Sequence, residues 1–166
     1  MAGNDCAVQR FSLQLMRESM EQFFEADAFW TAAEQAGRLI MAALFAGVIG
    51  FERESKDHPA GLRTHMLVGI GACLFTLLMT LLIGRFEGDD VRADPVRVVE
   101  AITSGVAFLA AGVIIQARGR VHGLTTGASL WLAGAIGLGA GLGEYLLSFI
   151  AVVLTLVVLR VIKAFE

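Results

Sequence analysis

The sequence predicts an all-α fold: a polytopic bundle of about five short, glycine-rich transmembrane helices, preceded by an amphipathic N-terminal helix. Three observations carry this. Hydrophobic residues make up 56% of the 166-residue chain and charged residues only 17%, whereas a soluble domain carries about 25% charged residues. Mean hydropathy is +0.69. The charges are also gathered between uncharged runs that approach the roughly 20 residues needed to cross a bilayer. A soluble core is excluded because too few polar residues remain to face water. The net charge of −3 gives nucleic acid no basic patch to bind.

The N-terminal segment, residues 1–29, reads differently from the rest. Asp5, Glu18, Glu21, Glu25 and Asp27 stand against Arg10 and Arg17, while Phe11, Leu15, Met16, Met20, Phe23 and Phe24 recur at helical spacing. Such a helix can lie on the membrane surface or pack on a bundle; a partly disordered tail is the other reading. The segment has no continuous apolar stretch of the kind a signal peptide needs, so none is expected.

The transmembrane domain is expected over 30–166, with spans at about 30–53, 64–84, 97–117, 123–143 and 145–163. In the first, only 39–51 is uninterrupted. Extending it back to Trp30 gives length and an interfacial anchor, and puts Glu34 and Arg38 four residues apart on one helical face. Residues 66–84, 101–117 and 123–143 are free of charge. Asp94-Pro95 before the third span reads as an N-cap followed by proline at the first helical position; a ligand role for Asp94, with Arg97 beside it, is the alternative. The fifth span is short before Arg160 and gains length if Arg160 and Lys163 snorkel. Four spans plus a re-entrant or interfacial segment is the competing count.

With the N-terminus outside, the inner segments hold Arg53, Lys56, Arg63, Arg118, Arg120, Arg160 and Lys163. The outer side then holds Arg10, Arg17, Arg85, Arg92 and Arg97. The positive-inside rule therefore favours an outer N-terminus and a cytoplasmic C-terminus. Gly137, Gly139, Gly141, Gly143 and Gly112 are expected helix-packing positions, with Ala107 and Ala111 as a further small pair, because helices associate in lipid through close packing. These faces could meet within one chain or between two.

Sites for chemistry are few. Cys6 and Cys73 are too scattered for a disulfide framework, and His58, His65 and His122 are not spaced as metal ligands. The G-x-G run has no strand before it, so it is no dinucleotide fingerprint. The outer loop 85–95 carries Glu87, Asp89, Asp90 and Asp94, read as a solvated acidic loop. No catalytic residue, cofactor or metal is expected. The expected partners are the lipid bilayer and either a second copy or another membrane protein, not nucleic acid.

One stretch is specific: Gly50-Phe51-Glu52-Arg53-Glu54, then Ala60-Gly61-Leu62-Arg63-Thr64-His65-Met66-Leu67-Val68. Here the chain resembles the MgtC/SapB family of bacterial inner-membrane proteins, whose pattern is G-x-E-R-E followed by A-G-L-R-T-H-x-L-V at the next span. Asp94-Pro95-Val96-Arg97, Phe108 to Gly112, Gly123-Leu124-Thr125-Thr126 and Trp131 extend the resemblance over about 36–145. Ala107 and Ala110 replace two family glycines, Ala101 a typical glutamine, and His122 a usual basic residue. The chain ends just after the fifth span, so the C-terminal cytoplasmic domain of longer members is expected to be absent.

The resemblance implies a non-enzymatic inner-membrane protein linked to growth at low magnesium or to acid and phagosomal stress. Longer members are thought to modulate partners, the proton-driven ATP synthase among them. The alternative is a small ion transporter or channel subunit. On either reading the informative residues are the polar cluster Glu52, Arg53, Arg63, Thr64, Thr125 and Thr126 at the inner span ends. Charges near the hydrocarbon boundary are costly unless paired, and a bidentate Glu52–Arg63 pair is preferred. That pair can be a clamp joining two spans, or a gate or polar site. Thr125 and Thr126 can cap the fourth span or line a vestibule with Arg63 and Arg118. Asp94 should lie on the opposite face, on the order of 30 Å from Glu52.

Overall fold

The computed structural model describes the backbone of residues 2–86, 94–117 and 120–161 and the side chains of 27–84, 94–114 and 121–160. The elements follow in the order α1 (Ala2–Glu54), α2 (Leu62–Phe86), α3 (Pro95–Gly112), β1 (Ile115–Ala117), β2 (Arg120–His122), α4 (Leu124–Leu142) and α5 (Tyr145–Val161). Among the described residues, four stretches are long and apolar enough to cross a membrane: Asp27–Glu54, Leu62–Gly84, Pro95–Gly112 and Leu124–Leu142. The fifth helix has 17 residues, about 25 Å at 1.5 Å per residue against a hydrocarbon core of about 30 Å. Lys163, expected to lengthen it, lies outside the described residues.

The chain divides into two compact units, Met1–Ala36 and Gly37–Glu166. The first is helical throughout its described length. Its amphipathic face falls on side chains outside the described residues. Toward its end Phe29 and Trp30 are exposed and meet edge to face, with centroids 5.6 Å apart.

In the second unit α4 is the centre. Its buried positions, among them Thr126, Ser129, Leu130, Ala133, Ile136 and Ala140, recur at helical spacing and form one broad face turned to the other helices. Small residues set the spacing. A β-carbon on Gly137 would lie 2.2 Å from the Gly69 carbonyl oxygen of α2, and one on Gly69 would lie 2.7 Å from Ala46 Cβ of α1. Helices α1, α2 and α4 are thus stacked backbone to backbone, where dispersion contacts are the main source of association in lipid. Gly141 meets Cys73 and Thr76 of α2, and Gly139 meets Ser148 of α5.

Two expected packing glycines act otherwise. Gly112 would meet nothing within 4 Å, and Gly143 is the C-cap of α4 in the left-handed region, where its N–H bonds the last carbonyls. The third span also ends earlier than expected. Asp94 caps α3, its Oδ1 accepting from the Val96 N–H at 3.0 Å, and Pro95 opens the helix. The helix stops at Gly112 rather than running to 117. Val113, Ile114 and Ile115 follow; β-branched residues favour extended backbone, and the chain turns into a hairpin pairing Ile115 with His122. Gly123 returns it to α4 at φ +84°, so close to α3 that a β-carbon would lie 2.2 Å from the Val113 oxygen.

Candidate functional site

The last turn of α1 carries Glu52 and Arg53, and both are 2% exposed. Arg53 Nε donates to Glu52 Oε2 at 2.7 Å, and Lys56 Nζ donates to Glu52 Oε1 from one turn on. Ser55 Oγ donates to the Glu52 carbonyl at 2.9 Å. Both carboxylate oxygens are therefore engaged by cations, which meets the cost of burying the charge. The neighbouring Glu54 serves the next helix: its Oε2 accepts from the Leu62 N–H at 2.7 Å, occupying a donor that the start of α2 would otherwise leave unpaired.

This differs from the expected Glu52–Arg63 pair. The turn 55–61 sets α2 so that Arg63 faces outward; it is exposed and, among the described residues, makes no ion pair. Helical spacing explains the partner chosen: Lys56 stands four residues after Glu52 on the same face. Thr64 is half-buried beside Arg63, while Thr125 is exposed and Thr126 buried. The N-cap of α4 is Gly123 and no side chain caps it, so neither threonine plays the expected capping part. Arg63 and Thr125 line different cavities, one between α2 and α3, the other between α4 and α5. Arg118, expected to share a vestibule with them, lies outside the described residues. Asp94 sits at the other end of α2 from Glu52, exposed, with Arg97 Nε 3.8 Å from its Oδ2.

The interior contains a polar chain that motif spacing did not reveal. His65 is 0% exposed. Its Nδ1 lies 2.9 Å from the Gly61 oxygen and its Nε2 lies 3.0 Å from Ser129 Oγ, which is itself 2.9 Å from the Thr126 oxygen. A carbonyl can only accept, so Nδ1 carries the proton of the neutral ring, and the single Ser129 hydroxyl hydrogen has two claimants, Nε2 and Thr126 O. The chain ties α2 to α4 through side chains removed from solvent. The signal was present in the sequence: His65 lies four, seven and eleven residues before Gly69, Ala72 and Thr76, on the small-residue face that α2 turns inward. Arg38 of α1, placed by its spacing on one face with Glu34, also reaches another helix: its Nη1 donates to the Gly141 carbonyl at 2.7 Å near the end of α4. A cation there opposes the negative end of the helix dipole.

Among the described residues no three His, Cys, Asp or Glu side chains converge as a metal site, and no buried side-chain polar atom lacks a partner. The Ser129–His65 contact is not backed by a carboxylate: the group on Nδ1 is a backbone carbonyl.

Comparison with known proteins gives a consistent set of relatives. A model of the MgtC family matches residues 39–166. The putative magnesium transporter YhiD of Escherichia coli (strain K12) is 41% identical over 130 residues, covering 78% of this chain and 60% of that protein. Protein MgtC of Brucella abortus (strain 2308) is 41% identical over 111 residues, covering 67% of this chain and 44% of the relative. Protein SrpB of Synechococcus elongatus is 36% identical over 140 residues, covering 78% and 75%. The chain thus spans 60% of the length of YhiD and less than half that of the Brucella protein. No solved structure matches it.

Proposed function

This chain belongs to the MgtC family of membrane proteins, and from that premise we propose that it is a non-enzymatic regulator acting through helix contacts with membrane partners under stress such as low magnesium or acid. The observation that supports this most is the closed centre of the bundle. Gly137 meets Gly69 backbone to backbone, and the buried Glu52 carboxylate is already held by Arg53 and Lys56. The α2–α4 contact thus leaves no passage between those two helices, and the Glu52 carboxylate is not free for a hard cation. Helix α3, by contrast, buries only Ile102 and Ala110 among its described residues, leaving apolar surface on which a partner helix can pack. The partner is a second copy or another membrane protein. The location is the bacterial inner membrane, with the N-terminus outside and the C-terminus cytoplasmic.

A second reading, a small ion transporter, has one favouring observation: YhiD, at 41% identity, is named a putative magnesium transporter. On it, the polar groups Glu52, Arg53, Arg63, Thr64, Thr125 and Thr126 act as parts of a pathway completed by an oligomer. Two measurements separate the readings. Affinity purification from mild detergent recovers a defined membrane partner if the protein is a regulator. Ion flux into liposomes holding the pure protein, abolished by Glu52→Gln, establishes the transporter instead.

A further inference from the structure

Helices α2 and α3 flank an open cavity of about 600 Å3. Its wall is apolar except at one end, where Arg63 and Thr64 stand at the start of α2. Two of its lining residues, Gly71 and Gly105, would have nothing within 4 Å of a β-carbon. These glycines therefore do not bring helices together, as Gly137 does; they leave space. Along α2 the cavity runs from Arg63 to Phe75, about 18 Å at 1.5 Å per residue.

That length decides between occupants. A transmembrane helix from another chain needs the full hydrocarbon core of about 30 Å, whereas an acyl tail occupies one leaflet, about 15 Å. The charge agrees. Arg63 lies at the apolar boundary, exposed and without an ion pair among the described residues, and a guanidinium fork matches a phosphate with two parallel hydrogen bonds. We propose that this cavity binds one anionic phospholipid, its phosphate held by Arg63 and Thr64 and one acyl chain laid over Gly71 and Gly105. The site is independent of whether the protein regulates or transports. It also gives Arg63 a task that Glu52, paired with Arg53 and Lys56, does not.

The test is native mass spectrometry of the full chain in mild detergent, titrated with phosphatidylglycerol, phosphatidylcholine or inorganic phosphate. The expected result is one phosphatidylglycerol retained per chain, in preference to phosphatidylcholine and without competition from millimolar phosphate. Arg63→Gln should weaken retention about tenfold, the loss expected for one charge-assisted phosphate contact. Gly105→Leu, which places a side chain in open space, should displace the lipid while circular dichroism shows unchanged helicity. Equal retention by wild type and both variants would overturn the proposal. So would equal binding of the two lipids, displacement by free phosphate, or a dimer that Gly105→Leu dissolves, since a second copy would then fill the cavity.

Discussion

Gly137 of α4 and Gly69 of α2 touch through their backbones: a β-carbon on Gly137 would stand 2.2 Å from the Gly69 carbonyl oxygen and 2.8 Å from its Cα. No flexible side chain is available to yield there. Gly137→Ala must push the helices apart, and overpacking of this kind costs about 3 kcal/mol, the upper part of its usual range. Gly112→Ala adds the same methyl where nothing lies within 4 Å and, at the last residue of α3, should stabilise by no more than about 0.5 kcal/mol, the lower end of the value for a helix interior. Unfolding of the two variants in detergent, followed by circular dichroism, should move in opposite directions. Equal shifts would mean that the α2–α4 contact does not set the bundle's spacing.

The buried carboxylate gives a second contrast. Glu52→Gln leaves Arg53, 2% exposed, without its counter-charge, and breaking a buried pair from one side costs about 3–5 kcal/mol. The exposed Lys56 can turn to solvent and softens none of that loss. Arg63→Gln, at an exposed residue with no ion pair among the described residues, should leave unfolding unchanged within about 0.5 kcal/mol. If Arg63→Gln destabilised the protein as much as Glu52→Gln, the pairing would be the Glu52–Arg63 clamp after all.

The residues that could be read from sequence were those whose partners are local. Asp94-Pro95 specifies the start of α3 within two residues, and apolar periodicity specifies the helices. Glu52 and Arg53 are legible as charges at a span end, but their partner depends on which way the turn 55–61 aims α2, and that is a tertiary matter. The end of α3 at Gly112 is not legible, because an uncharged run of Val113, Ile114 and Ile115 is equally apolar in a span and in a strand. The spacing of the histidines says nothing of His65 beyond its unfitness as a metal ligand, because its role rests on Ser129, 64 positions away. Residues 1–29 and the first span merge into α1 (Ala2–Glu54) because neither glycine nor proline interrupts the chain between Gly3 and Gly37.

The His65–Ser129 contact joins α2 to α4 at 3.0 Å with both residues buried. Hydrogen bonds between helices in membrane proteins contribute about 0.6 kcal/mol on average and up to about 1.7. A double-mutant cycle with His65→Ala and Ser129→Ala should give a coupling energy toward the upper value, because the His65 ring has no water to turn to. A coupling indistinguishable from zero would mean that Ser129 gives its hydrogen to Thr126 alone.

The hairpin closure is the most demanding backbone position. Gly123 combines φ +84° with a hypothetical β-carbon 2.2 Å from the Val113 oxygen. A left-handed non-glycine residue alone costs about 1–2 kcal/mol, and the clash forces the end of α3 away from the start of α4. Asp94→Ala, at the opposite end of α3, removes one side-chain bond to the Val96 N–H and should cost about 1 kcal/mol. Gly123→Ala should therefore be the worse of the two, and its damage should be local. Hydrogen exchange would show faster opening across Ile115–Ala117 and Arg120–His122, the strands that Gly123 closes, with the α2–α4 contact still protected. For Asp94→Ala the faster exchange should be confined to the first turn of α3. Loss of protection along the whole of α4 in the Gly123 variant would instead mean that the hairpin, rather than Gly137 and Gly69, positions the central helix.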